Sequence, residues 1–168
     1  MELNFGPRGL LDIKDANIKF RNFAGAKSEY NRGGERNFHL IIPDQEMADV
    51  LMEHKNEYGV GWNVKIKQRG EETYLSLPVK VNFEGYTPPA IYLDVNGKVT
   101  KLDEETVHIL DRISISSVDL MISPFDGGDG MYGPYRKAYL KSIWVYQDVD
   151  PYEERYAAYR DSLDEAPF

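Results

Sequence analysis

The chain has no cysteine. That excludes disulfides, thiolate metal sites and a cysteine nucleophile, and it fits a reducing, cytoplasmic setting. No run approaches the ~18–20 apolar residues of a membrane-crossing helix, and the opening MELNFGPRGLLDIK has no signal-peptide pattern, so no membrane partner is expected. Histidine is scarce. His39, His54 and His108 are scattered without an HxH, HExxH or HxxxH pairing, and His54 reads as a surface residue at a helix end. Neither a GxSxG elbow, a Walker loop nor a GxGxxG turn occurs, and Gly33-Gly34 lacks the Lys-Ser/Thr that a phosphate cradle needs. The acids of Asp126-Gly-Gly-Asp-Gly130 stand three apart with Lys137 at the twelfth position, which reads as a hairpin tip and not an EF-hand. No catalytic residue, metal site or cofactor is expected, and the chain does not read as an enzyme.

What is present is a globular composition, with 42% hydrophobic and 29% charged residues. The net charge of −8 is unevenly spread. From Asp148 to the end there are seven acids against Arg155 and Arg160, a net of −5, which leaves only −3 on residues 1–147. Within those, Lys14 to Arg36 carries six bases and three acids, a net of +3. An acidic total can therefore hide a basic face.

Three segments follow: an N-terminal arm (1–10) broken by Gly6, Pro7 and Gly9, a β-rich domain (11–147) and an acidic C-terminal tail (148–168). Alternation predicts a strand over Leu11–Phe23, with Ala16, Ile18 and Phe20 inward and Lys19, Arg21 and Phe23 outward. A glycine-rich loop leads to a returning strand, Arg36–Ile42. Asp44 is a good N-cap for a helix bearing Met47, Val50, Leu51 and His54. Further strands are expected over Val60–Arg69, with Trp62, Val64 and Ile66 inward, and over Tyr74–Phe83, where Pro78 suggests an edge or bulge. Asn96-Gly97 marks a tight hairpin between Ala90–Val95 and Val99–Leu102. A short helix follows Asp103, and Ile113–Ile122 shifts parity at Ser116-Ser117, a bulge signal. Residues 123–135 read as a long flexible loop before a last strand, Arg136–Gln147. The fold class is mainly β with two short helices: an OB-like antiparallel β-barrel with a flexible acidic C-terminal tail, or alternatively a β-sandwich.

The informative constellation is basic and aromatic. Lys19, Arg21 and Phe23 share one strand face, Lys65 and Lys67 another, and Tyr74 and Lys80 a third, while Lys27, Tyr30, Arg32 and Arg36 crowd the hairpin between the first two strands. Single-stranded nucleic acid needs this mixture, cations along the phosphates and aromatic faces for unstacked bases. At the other end, Asp161-Ser-Leu-Asp-Glu-Ala-Pro-Phe168 is an acidic tip closing on an apolar ring and a carboxylate, which a basic surface would attract.

Taken together, Ile18-Lys-Phe-Arg-Asn-Phe23, Gly61-Trp-Asn-Val-Lys-Ile-Lys67 and Ala138-Tyr-Leu-Lys-Ser-Ile-Trp-Val145 resemble the single-stranded DNA-binding proteins encoded by bacteriophages of gut-type bacteria. The terminal Asp-Glu-x-Pro-Phe is similar to the acidic tip of bacterial single-stranded DNA-binding proteins. The resemblance implies an OB fold, binding without strong sequence choice and protection of single strands during replication or recombination. It also implies that Asp164, Glu165, Pro167 and Phe168 recruit replication or recombination proteins and compete with DNA for the groove. A homo-oligomer is compatible with this reading. The rival is a protein-interaction or virion structural β-domain without nucleic-acid affinity.

Overall fold

Alternation along the chain produces a single sheet of nine strands in the computed structural model, which describes residues 1–27, 33–149 and Tyr159. In chain order the elements are β1 (Glu2–Phe5), β2 (Leu11–Asn22), β3 (Arg36–Ile42), helix α1 (Gln45–Glu53), β4 (Lys65–Arg69), β5 (Glu72–Val81), β6 (Ala90–Val95), β7 (Lys98–Leu102), β8 (Ile115–Gly130) and β9 (Gly133–Gln147). Short 3-10 turns cover Pro7–Gly9 and Val107–Asp111. The strand order is β4-β5-β3-β2-β8-β9-β6-β7, and a parallel pairing of β5 with β9 closes five strands, β2, β3, β5, β9 and β8, into a ring. Inside it lie Ile13, Ile18, Phe38, Leu40, Leu77, Val79, Ile122 and Ile143, all buried. Burial of such side chains, each worth about 1.5–3 kcal/mol, is what holds the ring closed.

β2 departs from simple alternation twice. Asp15 and Phe20 both have positive φ, 52° and 54°, and the pairing register shifts at both places, between Ile13 and Ala16 against β8 and between Lys19 and Asn22 against β3. Each shift inserts one residue and reverses the faces beyond it. The backbone N–H of Asp15 donates to Asp119 Oδ1 at 2.9 Å, which anchors the first irregularity. The second corrects the expected faces: Phe23 turns into the core with 0% exposure and stacks on Phe38 at 5.2 Å, while Phe20 turns outward.

Asp44 caps α1 as its position predicts, accepting from the Met47 N–H at 2.9 Å. The helix buries Ala48 and Leu51 but leaves Val50 exposed. Val60–Arg69 is shorter than expected, with a strand only from Lys65. Trp62 is core, whereas Ile66 is 74% exposed on this edge strand. Pro78 sits between the part of β5 paired with β4 and the part paired with β9, a gap where a residue without an N–H is tolerated. Asn96 and Gly97, both at positive φ, form the predicted turn between β6 and β7.

Two segments expected to be irregular are ordered strands. Glu2–Phe5 pairs with Leu11–Lys14. Residues 123–135 extend β8 and β9 into a long two-stranded ribbon. The glycines here make space: a Cβ at Gly127 would overlap the Tyr135 ring, and one at Gly128 would press on Tyr58. Asp126 is engaged by side chains of the protein itself. It accepts from Arg136 at 2.8 and 3.2 Å and from Asn56 Nδ2 at 2.9 Å, and the Arg136 guanidinium lies 4.9 Å from the Trp62 ring. Burial alone would raise the Asp126 carboxyl; the hydrogen bonds from Arg136 and Asn56, with the Arg136 charge, outweigh it and hold the group below its usual range.

Candidate nucleic-acid interface

The strand pairings decide which outward side chains become neighbours. Lys19 on β2 lies opposite His39 on β3, His39 opposite Pro78 on β5, and Ser76 and Tyr74 on β5 opposite Lys65 and Lys67 on β4. Directly paired residues share a face. Lys19, His39, Tyr74, Lys65 and Lys67 thus stand on one outer surface, and Arg69 continues the same parity.

Phe20 is its centre. Its ring makes T-shaped contacts with Tyr74 at 5.7 Å and with His39 at 5.5 Å, and it carries Lys67 Nζ at 5.1 Å and the Arg69 guanidinium at 4.9 Å. Lys19 Nζ lies 5.5 Å from the Tyr74 ring. Tyr74 is steadied by a hydrogen bond from its hydroxyl to Glu72. A groove of about 400 Å³ runs beside Lys19, Phe20 and Tyr74. His39 Nδ1 lies 3.1 Å from the buried Ser76 Oγ. Burial first, then Lys67, Lys65 and Arg69, lowers its pKa to about 4, so the imidazole is neutral near pH 7. The arrangement offers two aromatic rings and a fan of ammonium and guanidinium groups, which suits an extended polyanion with unstacked bases.

Not every expected residue joins this cluster. Arg21 donates from Nη1 to the carbonyls of Leu110 and Ile113 at 2.6 and 2.8 Å, which ties it to the loop before β8. Arg36 donates to the Phe23 carbonyl at 2.6 Å, lies 3.7 Å from a Glu104 carboxylate oxygen and covers the Phe83 ring at 5.1 Å. Phe23 is buried and contributes no surface. Lys80 is exposed at the far end of β5, beside Asn37 and Tyr139. Lys27 is exposed on the loop after β2. Tyr30, Arg32, Asp164, Glu165, Pro167 and Phe168 lie outside the described residues.

The sequence reading missed Phe20, His39 and Arg69. Arg69 carried a usable signal, the alternation Lys65-Lys67-Arg69, and so did His39 between Phe38 and Leu40. Phe20 carried none, because the irregularity that turns it outward leaves no mark in the pattern. His54 also differs from expectation. It is half-buried, receives the Trp62 Nε1–H at 3.2 Å and packs on Phe5 at 4.2 Å. Burial and then the Arg136 charge lower its pKa, which favours the neutral acceptor over a cation.

A different surface has the opposite chemistry. A depression of about 390 Å³ over β8, β9 and β6 is bordered by Tyr92, Trp144, Tyr146, Asp12 and Asp119. Trp144 Nε1 donates to Asp94 at 3.1 Å and the Tyr146 hydroxyl to Asp119 at 3.2 Å. These carboxylates disfavour a polyanion there. Among the described residues no group of three or more His, Cys, Asp or Glu could hold a metal ion.

A family model described as "Putative phage ssDNA-binding domain" matches residues 6–166. Three solved structures of the single-stranded DNA-binding protein from bacteriophage Enc34 share the fold. The C-terminally truncated form aligns with a TM-score of 0.54 at 14% identity, covering 89% of this chain and 92% of that one. The untruncated protein gives 0.51 at 14% identity over 89% and 87%. The form in complex with ssDNA gives 0.50 at 13% identity over 89% and 92%. No curated protein sequence matches the chain.

Proposed function

The chain belongs to the phage ssDNA-binding domain family, and from that premise we propose that it binds single-stranded DNA without strong sequence choice through the face centred on Phe20. The observation that carries the placement is the contact of Phe20 and Tyr74 at 5.7 Å inside a ring of Lys19, Lys67 and Arg69. Rings of this kind stack on any base, at about 1–3 kcal/mol each, and the cations follow the phosphates, so affinity needs no base-edge readout. The protein acts by binding and not by catalysis, protecting single strands during phage replication or recombination in the host cytoplasm. The ring order β2-β3-β5-β9-β8, with four antiparallel joints and one parallel, supports an OB-like barrel over a sandwich.

The same reading gives the acidic end a role. Asp164, Glu165, Pro167 and Phe168 recruit replication or recombination proteins and compete with DNA for the basic face, a role supported by the charge contrast between tail and face. Fluorescence anisotropy with labelled oligo-dT across a salt series tests the binding. Affinity for single strands should exceed that for duplex and fall steeply with salt. No binding at low salt would refute it.

A further inference from the structure

The β8–β9 ribbon carries a set of rings and cations that the Phe20 cluster does not use. Along its outer side, Phe125 is 53% exposed and touches Tyr139 at 6.0 Å and Tyr135 at 6.3 Å. Lys137, opposite Phe125, places Nζ 5.2 Å from the Tyr135 ring. The inner side of the same strands is closed by the Arg136–Asp126 pair, so the ladder faces one way only. Its root meets the far end of the strand that carries Tyr74: Tyr139 pairs with Lys80, which shares the alternation of Tyr74 on β5, across the joint between β5 and β9. Tyr139 also borders two hollows of about 190 and 330 Å³, one flanked by Lys80 and the other by Lys141. Glu35, on the rim of the smaller hollow, is the acid that opposes this charge.

The ladder is built, not incidental. Gly127 and Gly130 leave room for the Tyr135 ring against the strand backbone, since a Cβ at either would overlap it. The ring is thereby held beside Phe125 with little freedom left to lose on binding. One exposed ring, Phe125, and two half-buried ones, Tyr135 and Tyr139, interleaved with Lys137 and Lys141 on β9, match the requirements of an extended single strand.

We infer that the outer side of the β8–β9 ribbon is a second subsite for single-stranded DNA, reached from the Phe20 face through Lys80 and Tyr139 and built on Tyr139, Phe125, Lys137 and Tyr135. This rests on the proposed binding of single strands and adds a direction: a strand long enough to leave the sheet face continues along the ribbon.

The test compares oligo-dT of about 5 and about 15 nucleotides, near the two ends of the range one such fold accommodates. Anisotropy is read for the full chain and for Phe125→Ala/Lys137→Ala, with thermal melting to establish that the variant is folded. The expected result is at least about a fivefold loss for the longer strand, the low end of one lost base stack, with the shorter unchanged. A folded variant with unchanged affinity for both lengths would overturn the second subsite. So would an equal loss at both lengths, which would merge the two sites into one. Failure of the unaltered protein to bind either length would instead refute the underlying reading.

Discussion

At the scale of single residues, Phe20 and Phe23 make the sharpest pair. They stand three residues apart, Phe20 on β2 and Phe23 just past its end, and the irregularity at Phe20 exchanges the sides that plain alternation gives them. Phe23→Ala removes a fully buried ring stacked on Phe38 and should cost about 3–5 kcal/mol in chemical denaturation, through lost burial and the cavity left behind. Phe20→Ala should leave the fold intact and weaken oligo-dT binding by about 1–3 kcal/mol, the range of one lost base stack. Similar unfolding costs with unchanged DNA affinity for both would contradict the assignment. His39 supplies a second residue-scale test. Its pKa in the folded chain, about 4, lies below the ordinary 6.5. The unfolded chain therefore takes up the proton first as pH falls, and the stability held by the neutral ring is lost progressively from about pH 6.5 down to about 4. The thermal midpoint of the unaltered protein should fall more over that window than that of His39→Gln. Parallel curves would show that His39 does not titrate this way.

Among elements, those governed by local rules were legible in the sequence. The β3 bounds, the Asp44 cap and the Asn96-Gly97 turn each depend on residues adjacent in the chain, and each stands where the pattern placed it. The basic face was legible in part: Lys19, Lys65, Lys67 and Tyr74 were found by alternation and do converge. What could not be read depends on partners distant in sequence. Arg21 and Arg36 resembled surface cations until the carbonyls of Leu110, Ile113 and Phe23 came beside them. The Gly-rich stretch 127–130 has the composition of a mobile tip, yet its glycines accommodate Tyr135 and Tyr58, and Asp126 is held by Arg136 and Asn56. This gives a prediction for the ribbon. Asp126→Ala leaves the Arg136 guanidinium, itself nearly buried, without its carboxylate, and should cost about 3–5 kcal/mol in denaturant titration. A loss below about 1 kcal/mol would mean that the ribbon does not depend on the pair.

For the whole molecule, the net charge of −8 points away from DNA and the distribution points toward it. Lys19, Lys65, Lys67 and Arg69 lie together on one side, while Asp12, Asp94 and Asp119 accompany Tyr92, Trp144 and Tyr146 on another. Four phosphate contacts on a single strand set a slope of log affinity against log salt of about −3. Removal of Asp161–Phe168 takes away three acids and should leave oligo-dT affinity equal or tighter, since a competing anion is gone. Weaker binding after truncation would contradict the competition.

The central claim is that one face, and not overall charge, binds the strand. Lys67→Glu and Lys14→Glu change the net charge identically, but Lys67 lies over Phe20 and Lys14 borders the acidic depression. Salt-series anisotropy of the two variants with oligo-dT is the direct measurement. Lys67→Glu should weaken binding by about tenfold or more and flatten the salt slope by about 0.7, the share of one phosphate contact, while Lys14→Glu leaves both nearly unchanged. Equal losses in the two variants, or the larger loss at Lys14, would contradict the account.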